Sequence, residues 1–269
     1  MKQPEFLAGM KPVLLQGAME LETAVLRQGL TGVREVHKGN FSFWQGTLGS
    51  LPVVVSRTGI GTAAAGAATA LGCALFQPAL VLSQGTAGGY GELHPYDLVL
   101  GSRYFNANAL YTAPSGDKRY LYLSRLEEES DDAAFTGTGP LPDQCSGAVM
   151  DWLRQGAAGY TRGRVVEGLI ASSDQWNADP GRIAQAAQLT QALCEEMETA
   201  AAGETAARFG VPFGAVRVIS NNNQLGEGFQ AATAEVLAQW LLELLKKWLI
   251  TENWGIRNLR QNLKTEKRY

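Results

Sequence analysis

The sequence is poor in the residues that build metal sites and disulfides, with two histidines and three cysteines among 269 residues. His37 and His94 are too few for a histidine-rich metal site, and they argue against a histidine-based catalytic triad. Cys73, Cys145 and Cys194 lie far apart and form no Cys-x-x-Cys motif, which is typical of free thiols in a reducing compartment. We therefore expect neither a metal nor a cofactor.

The sequence also has no long uncharged apolar run. Its most apolar stretch, residues 234–250, is interrupted by two glutamates and two lysines, which indicates an amphipathic surface helix instead of a membrane span. Residues 1–10 carry charges around a short apolar patch and do not resemble a signal peptide. A formal net charge of -3 gives no reason to expect nucleic-acid binding. We expect a cytoplasmic protein without a nucleic-acid or membrane partner.

Alternating strand and helix patterns indicate a single domain over residues 1–269. Apolar runs predict buried strands at 12–16, 79–83, 164–171 and 213–219. Amphipathic or alanine-rich stretches between them predict helices, and this alternation favours an α/β three-layer sandwich. The segment 113–140 is predicted to be a solvated excursion, and the basic tail 251–269 to be a solvated terminus.

Four predicted strands end in polar or glycine-rich segments, at 17–22, 85–89, 172–177 and 217–221. Taken singly, each segment is a weak indication. Glu22, for example, is an ordinary first-turn carboxylate favoured by the helix dipole, and Glu198 an ordinary helical residue. Because the carboxyl ends of parallel strands meet at one edge of a sheet, the combination favours a binding or catalytic site.

Six segments together resemble the methylthioadenosine/S-adenosylhomocysteine nucleosidases of the purine nucleoside phosphorylase-like superfamily. They are 17–22 (GAMELE), 57–61 (RTGIG), 85–89 (GTAGG), 172–174 (SSD), 196–198 (EME) and 211–220 (VPFGAVRVIS). They follow the family pattern in order over residues 11–250. The resemblance implies a phosphorylase-like mixed sheet flanked by helices and, as is usual in the family, a homodimer. It also implies hydrolysis of the N-glycosidic bond of a purine nucleoside.

The resemblance implies a role for each residue of the site. Glu22 matches the glutamate that activates the attacking water, a step that needs a proton acceptor. Arg217 and Thr86 match residues that position this water. Glu198 matches the carboxylate that accepts hydrogen bonds from the ribose 2′ and 3′ hydroxyls and stabilises the developing oxocarbenium charge. Met197 matches the residue that packs on the sugar.

Further substrate contacts are implied by the same resemblance. Trp176 falls where the family places an aromatic residue against the purine, with an ordinary core or interface tryptophan as the alternative. Asn177 follows it and is expected to contribute backbone contacts to the base. Ala87, Gly88 and Glu196 complete the predicted substrate-binding set.

The choice between hydrolysis and phosphorolysis depends on the charge of the glycine loops. Phosphorolysis needs a cationic pocket for phosphate, usually made by arginines. The loops 17–22 and 84–91 contain neither Arg nor Lys, and the first offers Glu22, which would repel phosphate. Arg57 and Arg217 remain as possible anion contacts, so the sequence disfavours phosphorolysis without excluding it.

Asn221 departs from the family pattern, because adenosine-type nucleosidases have an aspartic acid here that protonates N7 of the leaving base. The Asn221 amide can donate a hydrogen bond to N7, or to both N7 and O6 of a 6-oxopurine, but it cannot give up a proton. It therefore favours hypoxanthine or guanine as the leaving group. Ser220-Asn221 is also similar to the corresponding segment of the futalosine hydrolases, which release hypoxanthine. Because Asn222 and Asn223 follow, a one-residue shift of register would still place an asparagine there.

The leading interpretation is thus a purine nucleosidase of futalosine hydrolase type that acts on a 5′-modified nucleoside. Three alternatives stay open: a methylthioadenosine/S-adenosylhomocysteine nucleosidase with an altered base contact, a phosphate-dependent phosphorylase, and a nucleoside-binding protein without catalysis. Glu22 argues against the last, because a binder has no use for a water-activating carboxylate. The sequence does not specify the 5′ substituent, for which Tyr104, Phe105 and Tyr111 are candidate contacts.

Overall fold

A mixed β-sheet forms the centre of the computed structural model, which describes residues 11–121 and 143–250. The strands are β1 (Val13–Gly17), β2 (Thr31–Lys38), β3 (Phe41–Leu48), β4 (Leu51–Arg57), β5 (Leu80–Gly89), β6 (Leu98–Asn106), β7 (Leu110–Thr112), β8 (Lys118–Tyr120), β9 (Asp143–Gln144), β10 (Val165–Ser172), β11 (Cys194–Glu196) and β12 (Phe213–Asn221). Their order in the sheet is β11-β10-β6-β12-β5-β1-β4-β3-β2, with β9 beside β6, whereas β7 and β8 form a separate pair.

The strands that lie side by side in the middle of the sheet bring the predicted site segments together. β1, β5 and β12 run parallel to one another, and β10 runs parallel to β11. Every residue of β1 is buried, and so is every residue of β12 up to Ser220, as expected for strands covered on both faces. Because β1, β5 and β12 are parallel, their carboxyl ends open at the same edge.

An additional antiparallel pairing of β11 with β5 brings a fourth strand to this edge. The partner segment of β5 is glycine-rich, and the strand continues to Gly89, beyond the predicted end at Ser83. A Cβ atom on Gly89 would lie 2.9 Å from the Ile219 side chain, so a larger residue would separate β5 from β12. Glycine therefore permits β5 to be paired on two sides up to its last residues.

Helices flank the sheet: α1 (Glu20–Gln28), α2 (Thr62–Phe76), α3 (Gly147–Ala157), α4 (Pro180–Thr190), α5 (Thr199–Arg208) and α6 (Ala232–Ile250). α2 packs on α5, and α1 packs on α6. The alanine-rich sequence of α2 allows close approach to the sheet, since a Cβ on Gly72 would lie 2.6 Å from Leu14 Cδ2. The predicted α/β sheet flanked by helices is confirmed.

Several details differ from the prediction. β2 was not predicted because its sequence, TGVREVHK, is polar and mostly exposed. Strand β11 was not predicted either, and it lies between α4 and α5. Within the predicted excursion 113–140, the residues up to 121 are described and include β8. The basic tail 251–269 and residues 1–10 lie outside the described residues. In the part of the chain that the structure describes, no helix is long and apolar enough to cross a membrane.

Candidate active site

The carboxyl ends of the central strands surround a cavity of ≈ 210 Å³. Ten of the eleven predicted site residues line it: Glu22, Thr86, Ala87, Gly88, Trp176, Asn177, Glu196, Met197, Glu198 and Asn221. The eleventh, Arg217, lies directly behind this wall, beside Glu198 and Gly17. Residues from five separate segments of the sequence therefore meet as the strand-end argument predicted.

Glu22 is held at the base of the cavity, 3 % exposed, by hydrogen bonds to both carboxylate oxygens. The backbone N–H groups of Ala18 and Met19 donate to Oε2 at 2.8 and 3.1 Å. The backbone N–H and the hydroxyl of Thr86 donate to Oε1 at 2.8 and 3.0 Å. This places the carboxylate in the first turn of α1, where the helix dipole favours a negative charge. Thr86 thus fixes the direction of the carboxylate.

Glu22 and Arg217 converge on Gly85. A Cβ atom on Gly85 would lie 2.7 Å from Glu22 Oε1 and 3.0 Å from Arg217 Nη1. Glycine is required here because any side chain would collide with both groups. The close approach brings an acceptor and a cationic donor together next to the cavity.

Arg217 is 2 % exposed and forms a buried ion pair with Glu196, to which Nε and Nη2 donate. Nη2 also lies 2.9 Å from Ser83 Oγ and 2.8 Å from Thr199 Oγ1. Glu196 in turn accepts from the Ser172 hydroxyl and from the backbone N–H of Thr199. Glu196 lines the cavity, as predicted, and its carboxylate is at the same time engaged by Arg217 and the first turn of α5.

Glu198 lies at the N-terminus of α5 and points toward the cavity. The backbone N–H of Gly61, in the loop after β4, donates to Glu198 Oε1 at 2.9 Å. Burial, followed by the nearby negative charge of Glu196, raises the pKa of Glu198 to about 8, while Arg217 acts in the opposite direction. A carboxylate so placed exchanges its proton close to neutral pH.

Asn221 is the asparagine that faces the cavity, which settles the register left open by the sequence. Asn222 is buried, and its Nδ2 donates to the carbonyls of Gly91 and Leu93. Asn223 Nδ2 donates to the Asn177 carbonyl at 2.9 Å. Ser220 Oγ donates to Asn221 Oδ1 at 2.9 Å, which leaves the Nδ2 donor of Asn221 for a ligand.

The predicted aromatic contacts are divided between the cavity and the protein core. Trp176 lines the mouth of the cavity and is 74 % exposed. Tyr104 and Phe105 are not in the cavity wall, because they pack edge-on against Phe213 and Tyr120. Their place as apolar lining is taken by Leu21, Ile60 and Phe229.

Glu195 also lines the cavity and was not predicted as a site residue. Asn177 Nδ2 and the Tyr90 hydroxyl donate to Glu195 Oε2 at 2.6 and 2.8 Å. The nearest signal in the sequence is the alternation along β11, since neighbouring residues of a strand face opposite sides. If Glu196 points away from the cavity toward Arg217, then Glu195 points into it.

Comparisons with known proteins agree with this geometry. The model of the phosphorylase superfamily matches residues 12–246. The 5′-methylthioadenosine/S-adenosylhomocysteine nucleosidase of Aeromonas salmonicida is 32 % identical, over 87 % of this chain and 96 % of the relative. The enzyme of the same name from Anoxybacillus flavithermus is 29 % identical, over 78 % of this chain and 84 % of the relative.

Solved structures show the same fold. One is the methylthioadenosine/S-adenosylhomocysteine nucleosidase of Colwellia psychrerythraea in complex with adenine. It is 25 % identical to this chain and gives a TM-score of 0.71. The match covers 95 % of that chain and 88 % of this one. The Neisseria meningitidis nucleosidase, in complex with methylthio-immucillin-A, gives a TM-score of 0.70 at 24 % identity, with 88 % of this chain and all of that chain covered.

The fold and the comparisons define an α/β enzyme of the nucleosidase type, an N-glycosyl hydrolase. The chain belongs to the phosphorylase superfamily. The predicted superfamily and enzyme class are thereby confirmed.

Removal of the charge of Glu196 and of Glu198 is expected to change the free energy of unfolding in opposite directions. Glu196→Gln leaves the Arg217 cation without its counter-ion and should lower the free energy of unfolding by about 3–5 kcal/mol. The folded protein retains a proton on Glu198 that the unfolded chain loses near the ordinary pKa of 4.5. The free energy of unfolding therefore falls as the pH rises from 4.5 toward about 8. Because Glu198→Gln removes this loss, the variant should be as stable as the wild type or, above pH 8, more stable. Urea unfolding at near-neutral and alkaline pH measures both effects. If Glu196→Gln were as stable as the wild type and showed only a raised KM, Glu196 would act as a substrate contact and not as the counter-ion that stabilises Arg217.

Proposed function

We propose that this protein hydrolyses the N-glycosidic bond of a 5′-modified purine nucleoside and releases the free base. The observation that carries the proposal is the Glu22 carboxylate, which four hydrogen bonds fix beside Arg217 at the base of the cavity. A general base must be within reach of the proton that it removes and must keep its orientation. Glu22 meets both conditions for a water held between it and the ribose.

We assign each step of the proposed reaction to a residue. Glu22 accepts a proton from the water while the water oxygen bonds to the anomeric carbon and the base departs with the electron pair of the glycosidic bond. Glu198 accepts hydrogen bonds from the ribose hydroxyls, and its negative charge stabilises the oxocarbenium character of the transition state. Met197 packs on the sugar. Asn221 donates to N7 of the base, and since an amide cannot release a proton, the departing base takes its proton from solvent.

Charge in the cavity favours water over phosphate as the attacking group. Among the described residues that line it, none is Arg or Lys, whereas four are glutamates: Glu22, Glu195, Glu196 and Glu198. Arg57 is paired with Glu20 at 2.8 Å, and Arg217 is committed to Glu196. The carboxylates of the cavity would therefore repel a phosphate dianion.

For the substrate itself, the names of the relatives favour the alternative over the leading interpretation from the sequence. The relatives are 5′-methylthioadenosine/S-adenosylhomocysteine nucleosidases, and futalosine is not among the molecules in their names. Leu21, Ile60 and Phe229 give the mouth of the cavity an apolar wall. We therefore propose a 5′-thio-substituted purine nucleoside as the first substrate to test, because a thioether suits such a wall.

A second candidate, a nucleoside of a 6-oxopurine such as hypoxanthine, is favoured by Asn221. With Oδ1 accepting from Ser220, its Nδ2 faces the cavity as a donor. A donor at this position matches N7 and O6 of a 6-oxopurine, whereas the exocyclic group of adenine is itself a donor. Futalosine belongs to this second class.

We also propose a homodimer whose partner covers the cavity mouth. Ile60, Trp176 and Phe229 are 56, 74 and 44 % exposed there, and clustered apolar exposure of this kind is typical of an interface. Sedimentation equilibrium is expected to give twice the mass of one chain. A monomer at micromolar concentration would contradict the proposal.

Release of free base should not require phosphate, and Glu22→Gln should abolish most of it. Removal of a positioned general base is expected to lower kcat by about 10²- to 10⁴-fold. The assay is detection of free adenine or hypoxanthine from 5′-methylthioadenosine, S-adenosylhomocysteine, inosine and futalosine, with and without phosphate. Glu20→Gln, which changes an exposed carboxylate of the same helix, is the matched control. A strict phosphate requirement would identify a phosphorylase, and saturable binding without turnover would identify a binding protein.

Asn221→Asp should shift the base preference toward 6-aminopurine nucleosides, since a carboxyl group can be protonated to donate to N7 and can accept from the amino group. The ratio of kcat/KM for 5′-methylthioadenosine to that for inosine measures the shift. Asn223→Asp serves as the control, because Asn223 does not line the cavity and its Nδ2 donates to the Asn177 carbonyl. An unchanged ratio in Asn221→Asp would show that this position does not read the base.

A further inference from the structure

Glu195 places a carboxylate in the cavity for which the hydrolytic step has no use. It lies on β11, whereas the water-activating Glu22 lies on α1, and its contacts are with Asn177 and Tyr90. Both of these donors bond to Oε2. Among the residues that the structure describes, none donates to Oε1. The carboxylate is thus fixed by one oxygen and presents the other as an acceptor.

The strand pairing shows what Oε1 faces. Gly88 of β5 is the register partner of Glu195 on β11 and also of Asn221 on β12. The position that a Cβ atom on Gly88 would take lies 3.6 Å from Asn221 Nδ2 and 3.8 Å from Glu195 Oε1. Gly88 therefore leaves a space without a side chain, which the Asn221 donor and the Glu195 acceptor both border.

A purine base that packs on Gly88 would have its edge next to both Asn221 Nδ2 and Glu195 Oε1. A 6-oxopurine offers acceptors at N7 and O6 and a donor at N1–H, whereas adenine offers an acceptor at N7, a donor at the 6-amino group and an acceptor at N1. The Asn221 donor and the Glu195 acceptor match the first pattern. Against adenine, the carboxylate would oppose the lone pair of N1 and leave two acceptors facing each other.

We infer that Glu195 is a specificity-determining residue that accepts a hydrogen bond from N1–H of the base, so that the site recognises 6-oxopurines by Asn221 and Glu195 together. The inference rests on the proposed nucleosidase function, which it deepens by naming the class of base. Tyr90 and Asn177 act as positioning residues, because they hold the carboxylate by its far oxygen.

Burial of Glu195 raises its pKa, although the hydrogen bonds from Asn177 and Tyr90 act in the opposite direction. Only the ionised form is an acceptor at both oxygens. The test is therefore made at several pH values, and the preference is expected to be strongest where the carboxylate is ionised.

Glu195→Gln inverts the pattern because its amide has one possible orientation. Asn177 and Tyr90 both donate to the position of Oε2, which the amide oxygen must occupy, so the NH₂ group is left at the position of Oε1. This replaces the acceptor that faces the base with a donor. The variant should accept N1 of adenine and oppose N1–H of hypoxanthine.

The experiment measures the dissociation constants of the free bases hypoxanthine and adenine by calorimetry, which needs no turnover. The wild type should bind hypoxanthine more tightly than adenine, and Glu195→Gln should lower this preference by about 10- to 100-fold, the range for a hydrogen bond to a charged group. Glu195→Leu, which removes the acceptor without adding a donor, should fall between them. Glu204→Gln changes a glutamate whose pKa is also raised by burial but which lies outside the cavity wall, and it should match the wild type.

An unchanged preference in both Glu195 variants, or tighter binding of adenine by the wild type, would overturn the inference. Its failure is distinguishable from that of the proposed function. If nucleosides are hydrolysed while the base preference ignores position 195, the inference alone is wrong. If no nucleoside is hydrolysed while the variants still change base binding, the proposed catalysis is wrong and Glu195 still reads the base.

Discussion

The buried ion pair of Arg217 with Glu196 is the interaction on which the site depends. Both side chains are almost inaccessible, and an unpaired charge at that depth would cost several kcal/mol. Their contact joins β12, β11 and the start of α5, and Arg217 reaches Ser83 of β5 as well. Because Glu196 is fixed, the next two residues are placed along the cavity, so that Met197 and Glu198 reach the position proposed for the sugar.

The residues proposed to cleave the bond and those proposed to recognise the base lie on different elements. Glu22, Arg217 and Glu198 are tied to α1, the ion pair and α5, whereas Glu195 and Asn221 meet over Gly88 at the ends of β11 and β12. Two side chains decide the donor and acceptor pattern offered to a purine. Relatives at about 30 % identity therefore match most of this chain without fixing its base, since a change of two residues at these strand ends leaves the fold intact.

The position of the site followed from the sequence, but the direction of its side chains did not. Parallel strand ends with glycine loops predict a common edge, and the cavity is lined by Glu22, Thr86 and Asn221 as expected. The alternation within β11 could be oriented only once its antiparallel pairing with β5, more than a hundred residues earlier, was known. Without that pairing Glu195 was not predicted, and the contact of the Glu196 carboxylate with Arg217 could not be foreseen. Nonlocal pairing of this kind leaves no periodic signal in the sequence.

The raised pKa of Glu198 gives the proposed catalysis a means to favour the transition state. Burial, followed by the neighbouring negative charge of Glu196, raises the pKa of Glu198 to about 8. As the glycosidic bond breaks, positive charge develops on the ribose, and this charge favours the ionised carboxylate, whose proton passes to solvent. The attraction is then stronger in the transition state than in the bound substrate. Since only an interaction that strengthens in this way accelerates the chemical step, the same burial that makes Glu198 costly to ionise makes it useful to the reaction.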